Sequence, residues 1–152
     1  MIINKLIFPV IITIAIFVMA GCSSSDRSAS CTLADNGVSI SIELSPSHPF
    51  LAEYDRFLIL KRNGKEVAKQ KLFQDTGGYS SANLYKCNHT LYMVKGYFDM
   101  WVIDLNSGRI EDGQCPKSAH EYIGIFDGGG SKPWKFYLSS EREEQELKPK
   151  GG

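Results

Sequence analysis

The side chains that could do chemistry in this chain are few and far apart. His48 stands between Ser47 and Pro49, His89 follows Asn88 in a turn, and His120 precedes Glu121. A bound zinc needs three or four such ligands at short, patterned spacings, and these three histidines form no such pattern. Gly77-Gly78-Tyr79-Ser80-Ser81 holds hydroxyls in a glycine-rich stretch but is not a Gly-x-Ser-x-Gly elbow, and no helix pattern follows it. Gly128–Lys132 is also glycine-rich, yet it lacks the Gly-Lys-Ser/Thr end that would cradle a phosphate. The carboxylate pairs Glu111/Asp112 and Asp99/Asp104 have the chemistry of an acid and a base, but carboxylates sit at turns and wet faces by default. The sequence therefore reads as non-enzymatic, with no metal and no cofactor expected.

One residue stands in a chemically pointed context. Met1–Lys5 carries a single positive side chain, Leu6–Ala20 is apolar except for Thr13, and Met19-Ala20-Gly21-Cys22 is followed by Ser23-Ser24-Ser25. A basic start, an apolar core and small residues at a cut site form an export signal. About 15 apolar residues are short for a bilayer span, which takes roughly 20. With a cysteine directly after the small residues, the stretch resembles a bacterial lipoprotein signal. Met19 stands where that family most often has Leu. The resemblance covers about the first 25 residues. It implies that residues 1–21 are removed and that Cys22 becomes the acylated first residue of the mature protein. It also implies that the lipid bilayer is a partner through Cys22. Ser23 and Ser24 lack the aspartate that retains enteric members of the family in the inner membrane, so the outer membrane, facing the periplasm, is the expected location.

Composition limits what the anchored part can be. Taking 21 residues from 152 leaves 131, enough for one domain with a core. Loss of Lys5 leaves 16 basic against 17 acidic side chains, so no basic excess draws in nucleic acid or anionic lipid. Cys31, Cys87 and Cys115 remain beside Cys22. An oxidising compartment favours one bridge and leaves one cysteine over, although three free buried cysteines are the alternative. Cys87–Cys115 is the favoured pair, since both end predicted strands while Cys31 lies near the start. Closing that loop stabilises by roughly 3.5 kcal/mol in the chain-entropy model.

The elements that would position any site are strands. Val38–Leu44 alternates Val, Ile, Ile and Leu against Ser, Ser and Glu, which describes a strand with one buried and one wet face. Phe57–Lys61 and Glu66–Phe73 flank Asn63-Gly64, a strong hairpin signal because both residues tolerate positive φ. Lys65, Lys69 and Lys71 suit an edge strand guarded against self-pairing. Further strands are expected at Ala82–Cys87, Thr90–Lys95, Tyr97–Leu105, Arg109–Glu111, Tyr122–Asp127 and Trp134–Leu138. Ile103–Ile110 resembles hairpins in propeller blades of quinoprotein type, but 131 residues are too few to close a propeller. The expected fold is all-β: an antiparallel sandwich, meander or open barrel of about 7–9 short strands. Residues 22–30 would form the lipidated cysteine and a flexible tether, 31–140 the β domain, and 141–152 a charged flexible tail with at most a short frayed helix. From Ser23 to Ser30 the tether reaches at most about 28 Å.

A small lipidated β domain without a catalytic set resembles the immunity lipoproteins that neutralise secreted toxins, and also phage-exclusion lipoproteins. That resemblance implies a protein partner and a binding role. A structural or assembly lipoprotein of an envelope machine is the alternative, and a small hydrolase is disfavoured by the missing site. The expected contact region is Asp127, Gly128, Gly129 and Gly130 with Trp134, the ring anchoring an interface unless it is core. Asp75–Ser81 is the other glycine-rich loop, and Lys65–Lys71 the next surface to consider.

Overall fold

The computed structural model describes residues 27–33, 37–116, 118, 120–129 and 132–148. The signal, Cys22 and tether residues 23–26 lie outside the described residues, as do Gly130 and residues 149–152. Among the described residues, ten strands form two antiparallel sheets. The first sheet is a four-stranded meander of β1 (Ser28–Leu33), β2 (Val38–Pro46), β3 (Tyr54–Arg62) and β4 (Lys65–Lys71), in that spatial order. The second holds β5 (Ala82–Lys86), β6 (Leu91–Lys95), β7 (Met100–Asp104), β8 (Arg109–Asp112), β9 (Glu121–Gly129) and β10 (Lys132–Leu138), in spatial order β10-β9-β5-β6-β7-β8.

The sheets face each other as a sandwich, and strand alternation dictates the core. Ala29, Cys31, Ile40, Ile42, Leu58 and Leu60 project from the first sheet onto Ala82, Leu84, Val94, Ile103, Phe126 and Trp134 of the second. The outer face of β1 and β2 carries Ser30 and Ser41, whose hydroxyls meet at 3.1 Å, as the polar half of the alternation requires. Asn63 and Gly64 both adopt positive φ, at 49° and 77°, and close the β3–β4 hairpin. β4 is an edge strand with a single hydrogen-bonded neighbour, β3.

Three sequence expectations change. Ser28–Ser30, assigned to the tether, belongs to β1 and pairs with Ser41–Glu43. Ala29 and Cys31 are buried there, so Cys31 is a core residue rather than part of a loose start. This strand raises the count to ten. Its short alternation of small residues, SASCTL, carried no strong apolar signal. The domain also does not stop at 140. Residues 141–148 cross the outer face of the second sheet without a helix, and Leu147 is 5% exposed. Asn83 Nδ2 donates to the Gln145 carbonyl at 2.8 Å and the Tyr85 hydroxyl to Glu144 at 2.6 Å. Cys87 and Cys115 are disulfide-bonded, with Cα atoms 6.0 Å apart, and Cys115 joins Tyr85 and Met93 in a second small core on that outer face.

Candidate functional site

The two glycine-rich segments singled out in the sequence meet. The register explains how: Ala82, which opens β5 after the 72–81 connection, pairs with Phe126 of β9, one residue before Asp127. The Ser81 hydroxyl donates to the Asp127 carboxylate. Beside this junction is a cavity of about 250 Å³, whose lining includes Arg27, Tyr54, Asp75, Gly78, Lys132 and Trp134. It lies at the end of the sandwich where β1 begins, because Ser28 pairs with Glu43 near the end of β2, and Tyr54 at the start of β3 pairs with Pro46.

Within this region the expected contact residues are mostly structural. Trp134 is 4% exposed, and its indole N–H donates 3.0 Å to the Ile42 carbonyl. It is a core side chain spanning the two sheets, and the expectation of an exposed anchor is corrected. Asp127 is only partly exposed and forms an ion pair with Arg142 in addition to accepting from Ser81. Its charge is met within the chain, so it does not stand free for a basic partner. Gly128 and Gly129 belong to β9 rather than to a loop, and Gly129 pairs with Lys132. A Cβ on Gly128 would lie 2.6 Å from Trp134 Cα and 2.7 Å from the Pro133 carbonyl. The bulge between Lys132 and Lys135 thus presses on Gly128, which explains the glycine by close backbone approach.

The 72–81 connection is tied down by buried charge. Asp75 is 3% exposed and exchanges backbone hydrogen bonds with Tyr54, both 2.9 Å. Its carboxylate accepts from the backbone N–H of Gly77 at 2.9 Å and of Tyr79 at 2.8 Å, and from the Ser80 hydroxyl. With three donors committed, this carboxylate orders the loop. Arg56, 1% exposed, projects from β3 beneath the same loops. Its guanidinium donates to the Phe73 carbonyl at 3.3 Å and lies 3.7 Å from Asp99, whose carboxylate accepts from Phe73 N–H at 2.7 Å. Burial lowers the Arg56 pKa from its ordinary value, while Asp99 and Asp75 oppose that shift. Gly96 lies against this pair: a Cβ there would come within 2.3 Å of Asp99 Oδ1 and displace that side chain.

The remaining candidates disperse. His48 Nδ1 accepts from the N–H groups of Phe50 and Leu51 at 3.1 and 3.2 Å, capping its own turn. His89 is exposed, and His120 packs 4.8 Å from the Tyr85 ring. No group of three or more potential metal ligands occurs among the described residues. Asp99 and Asp104 sit at opposite ends of β7. Ser107 Oγ and the Asn106 N–H hold the Asp104 carboxyl below its ordinary value. A second cavity, about 540 Å³, lies beneath the 141–148 segment among Tyr85, Met93, Cys115, His120 and Glu144. Burial, then the hydrogen bond to Glu144, pushes the Tyr85 hydroxyl pKa well above its ordinary value. Sequence reasoning missed Arg56, whose partners Phe73 and Asp99 lie on distant connections, and the Tyr85–Glu144 contact, which joins residues 59 apart. Comparison with protein-family models, with curated proteins and with solved structures finds no match.

Proposed function

We propose that this chain is a lipid-anchored, non-enzymatic protein-binding module of the bacterial envelope. In this reading Cys22 carries the acyl chains, the domain faces the periplasm from the outer membrane, and its specific task is to neutralise a secreted toxin as an immunity protein. The observation that supports a binding role is β4. Among the described residues it is an edge strand with one hydrogen-bonded neighbour, exposed along most of its length, and it bears Lys65, Lys69 and Lys71 with Val67 at 43% exposure. Lys71 is paired with Asp55 at 2.9 Å, while the Lys69 ammonium lies over the Phe57 ring at 4.6 Å. Lysines guard such an edge against copies of itself. An acidic partner strand would satisfy both the free backbone groups and the charges, the mode of strand addition.

Growth and labelling test the reading. A deletion strain should die only beside toxin-producing siblings and be rescued by the wild-type gene. A Lys65→Glu, Lys69→Glu variant should bind the toxin about tenfold more weakly, since two exposed charges contribute up to roughly 1 kcal/mol each. Cys22→Ser should leave an uncut precursor without acyl label. A deletion strain that is leaky or misshapen and indifferent to its siblings would replace the immunity role with an assembly role. A Cys22→Ser protein that still matures and partitions into membranes would refute the anchor.

A further inference from the structure

Large apolar side chains left in solvent are not spread evenly over this domain. Among the described residues six are exposed: Phe50, Leu51, Val67, Phe73, Phe98 and Leu138. Four of them, Phe50 at 90%, Leu51 at 55%, Phe73 at 50% and Phe98 at 45%, occupy connections at one end of the sandwich. The register establishes that common end. β2 runs out to Pro46 and β3 returns from Tyr54, so Phe50 and Leu51 lie between them. β4 finishes there at Lys71, directly before Phe73. β6 finishes there too, as Lys95 pairs with Asn83 near the start of β5, and Phe98 lies in the turn to β7. The same end receives the chain from the N-terminal side, since Ser28 pairs with Glu43.

These connections are joined and held. Gln74 Nε2 donates to Ser47 Oγ at 2.9 Å, linking the 47–53 connection to the one that carries Phe73. The rings of Phe73 and Phe98 lie 4.6 Å apart, and Tyr79 meets Phe98 edge-on at 5.4 Å. Asp99 and Arg56 grip Phe73 by its backbone N–H and carbonyl, so the ring is held outward from fixed main chain. We infer that this apolar end is a membrane-docking face: it lies on the bilayer that holds the acylated Cys22, with Phe50, Leu51, Phe73 and Phe98 entering the interfacial region. The inference rests on the anchor proposed above. Four residues separate Cys22 from Arg27, and the five steps between them span at most about 18 Å, so an anchored domain keeps this end within reach of the lipid surface. Aromatic and aliphatic side chains favour the interface, where their apolar area leaves water. The neighbouring charges are mixed: Arg27 and Lys132 against Glu53, with Asp55 and Lys71 paired. The contact is therefore apolar in origin and tolerant of salt. With this end on the membrane, β4 runs away from the bilayer from Lys71 towards Lys65.

The test uses the full chain, exported in its own cells, with photoreactive p-benzoylphenylalanine replacing Phe50 or, separately, Phe98. Matching variants carry it at His89 and at Asn106, exposed positions in connections at the opposite end. Illumination should give phospholipid adducts at 50 and 98 and none at 89 and 106, unchanged when salt is raised. Radiolabelled palmitate on the same band reports the anchor independently. Label without lipid adducts at 50 and 98, or equal lipid adducts at all four positions, overturns the docking face while leaving the anchor standing. Protein adducts in place of lipid at 50 and 98 overturn it in favour of a protein partner at this end. A band without label overturns the anchor and the docking face with it.

Discussion

Removing the Trp134 ring separates a core role from an interface role at this position. Trp134→Ala deletes a side chain that is 4% exposed and donates from its indole to the Ile42 carbonyl in the facing sheet. Truncating a buried tryptophan costs about 3–5 kcal/mol through lost apolar burial and the cavity left behind. The lost indole donor accounts for about 1 kcal/mol of that. A domain of this size has a total stability of about 5–15 kcal/mol, so the variant sits near the edge of folding at 37 °C. With a urea slope of about 2 kcal/mol/M, its unfolding midpoint falls by about 2 M. Trp134→Phe retains most of the ring and loses the donor, and should lower the midpoint by about 0.5–1 M. Urea titrations followed by circular dichroism measure both. A Trp134→Ala protein with the wild-type midpoint would refute the packing argument. So would a Trp134 fluorescence, measured with Trp101 replaced by Phe, that iodide quenches like free indole. In the binding role proposed above, the Phe variant, still folded, should act as the wild type does, because the ring does not reach the surface.

Other outcomes follow from the cysteines. Replacing Cys87 and Cys115 together with Ser should lower stability by roughly 3.5 kcal/mol, the entropy of closing a 28-residue separation, read as a midpoint shift in urea. Cys31 is buried in β1, and burial pushes its thiol pKa up to about 11 from 9.0. The native protein should therefore resist iodoacetamide at Cys31 at pH 8 and react once unfolded, since the thiolate is the nucleophile. The folded state prefers the neutral thiol, so this contribution to stability is complete below pH 9 and is lost as pH rises from 9 towards 11. Cys31→Ala should flatten part of that alkaline fall, and an unchanged fall would place its cause in other groups, Tyr85 first.

Strands were legible wherever one face was apolar and the other polar. Val38–Leu44 and Trp134–Leu138 alternate cleanly, and Asn63-Gly64 marks its own turn by two positive φ values. β1 was not legible, because Ala29 and Cys31 are small and sit among serines that also suit a tether. It forms because its partner, β2, offers Ile40 and Ile42 opposite those small side chains. The same reasoning explains Asp127–Pro133. Glycine runs signal a loop by composition, yet Gly128 is needed under the β10 bulge for its lack of a Cβ, a contact between residues six positions apart that no local pattern reveals.

The segment beyond residue 140 failed to read as structure for a different reason. It has one large apolar residue, Leu147, which cannot form a face by itself. It packs because the second sheet presents Asn83, Tyr85, Met93 and Ile125 on the side away from the core, and a sheet with such side chains on its outer face needs a cover. The disulfide secures the 113–116 stretch over one part of that face, and 141–148 lies over another, with Arg142 reaching Asp127 at its margin. Asp127 is thereby drawn out of the pool of free surface charge by an arginine fifteen residues later. A site reading that weighs carboxylates one by one along the chain counts Asp127 as available. β4, by contrast, keeps an edge with no second hydrogen-bonded strand among the described residues.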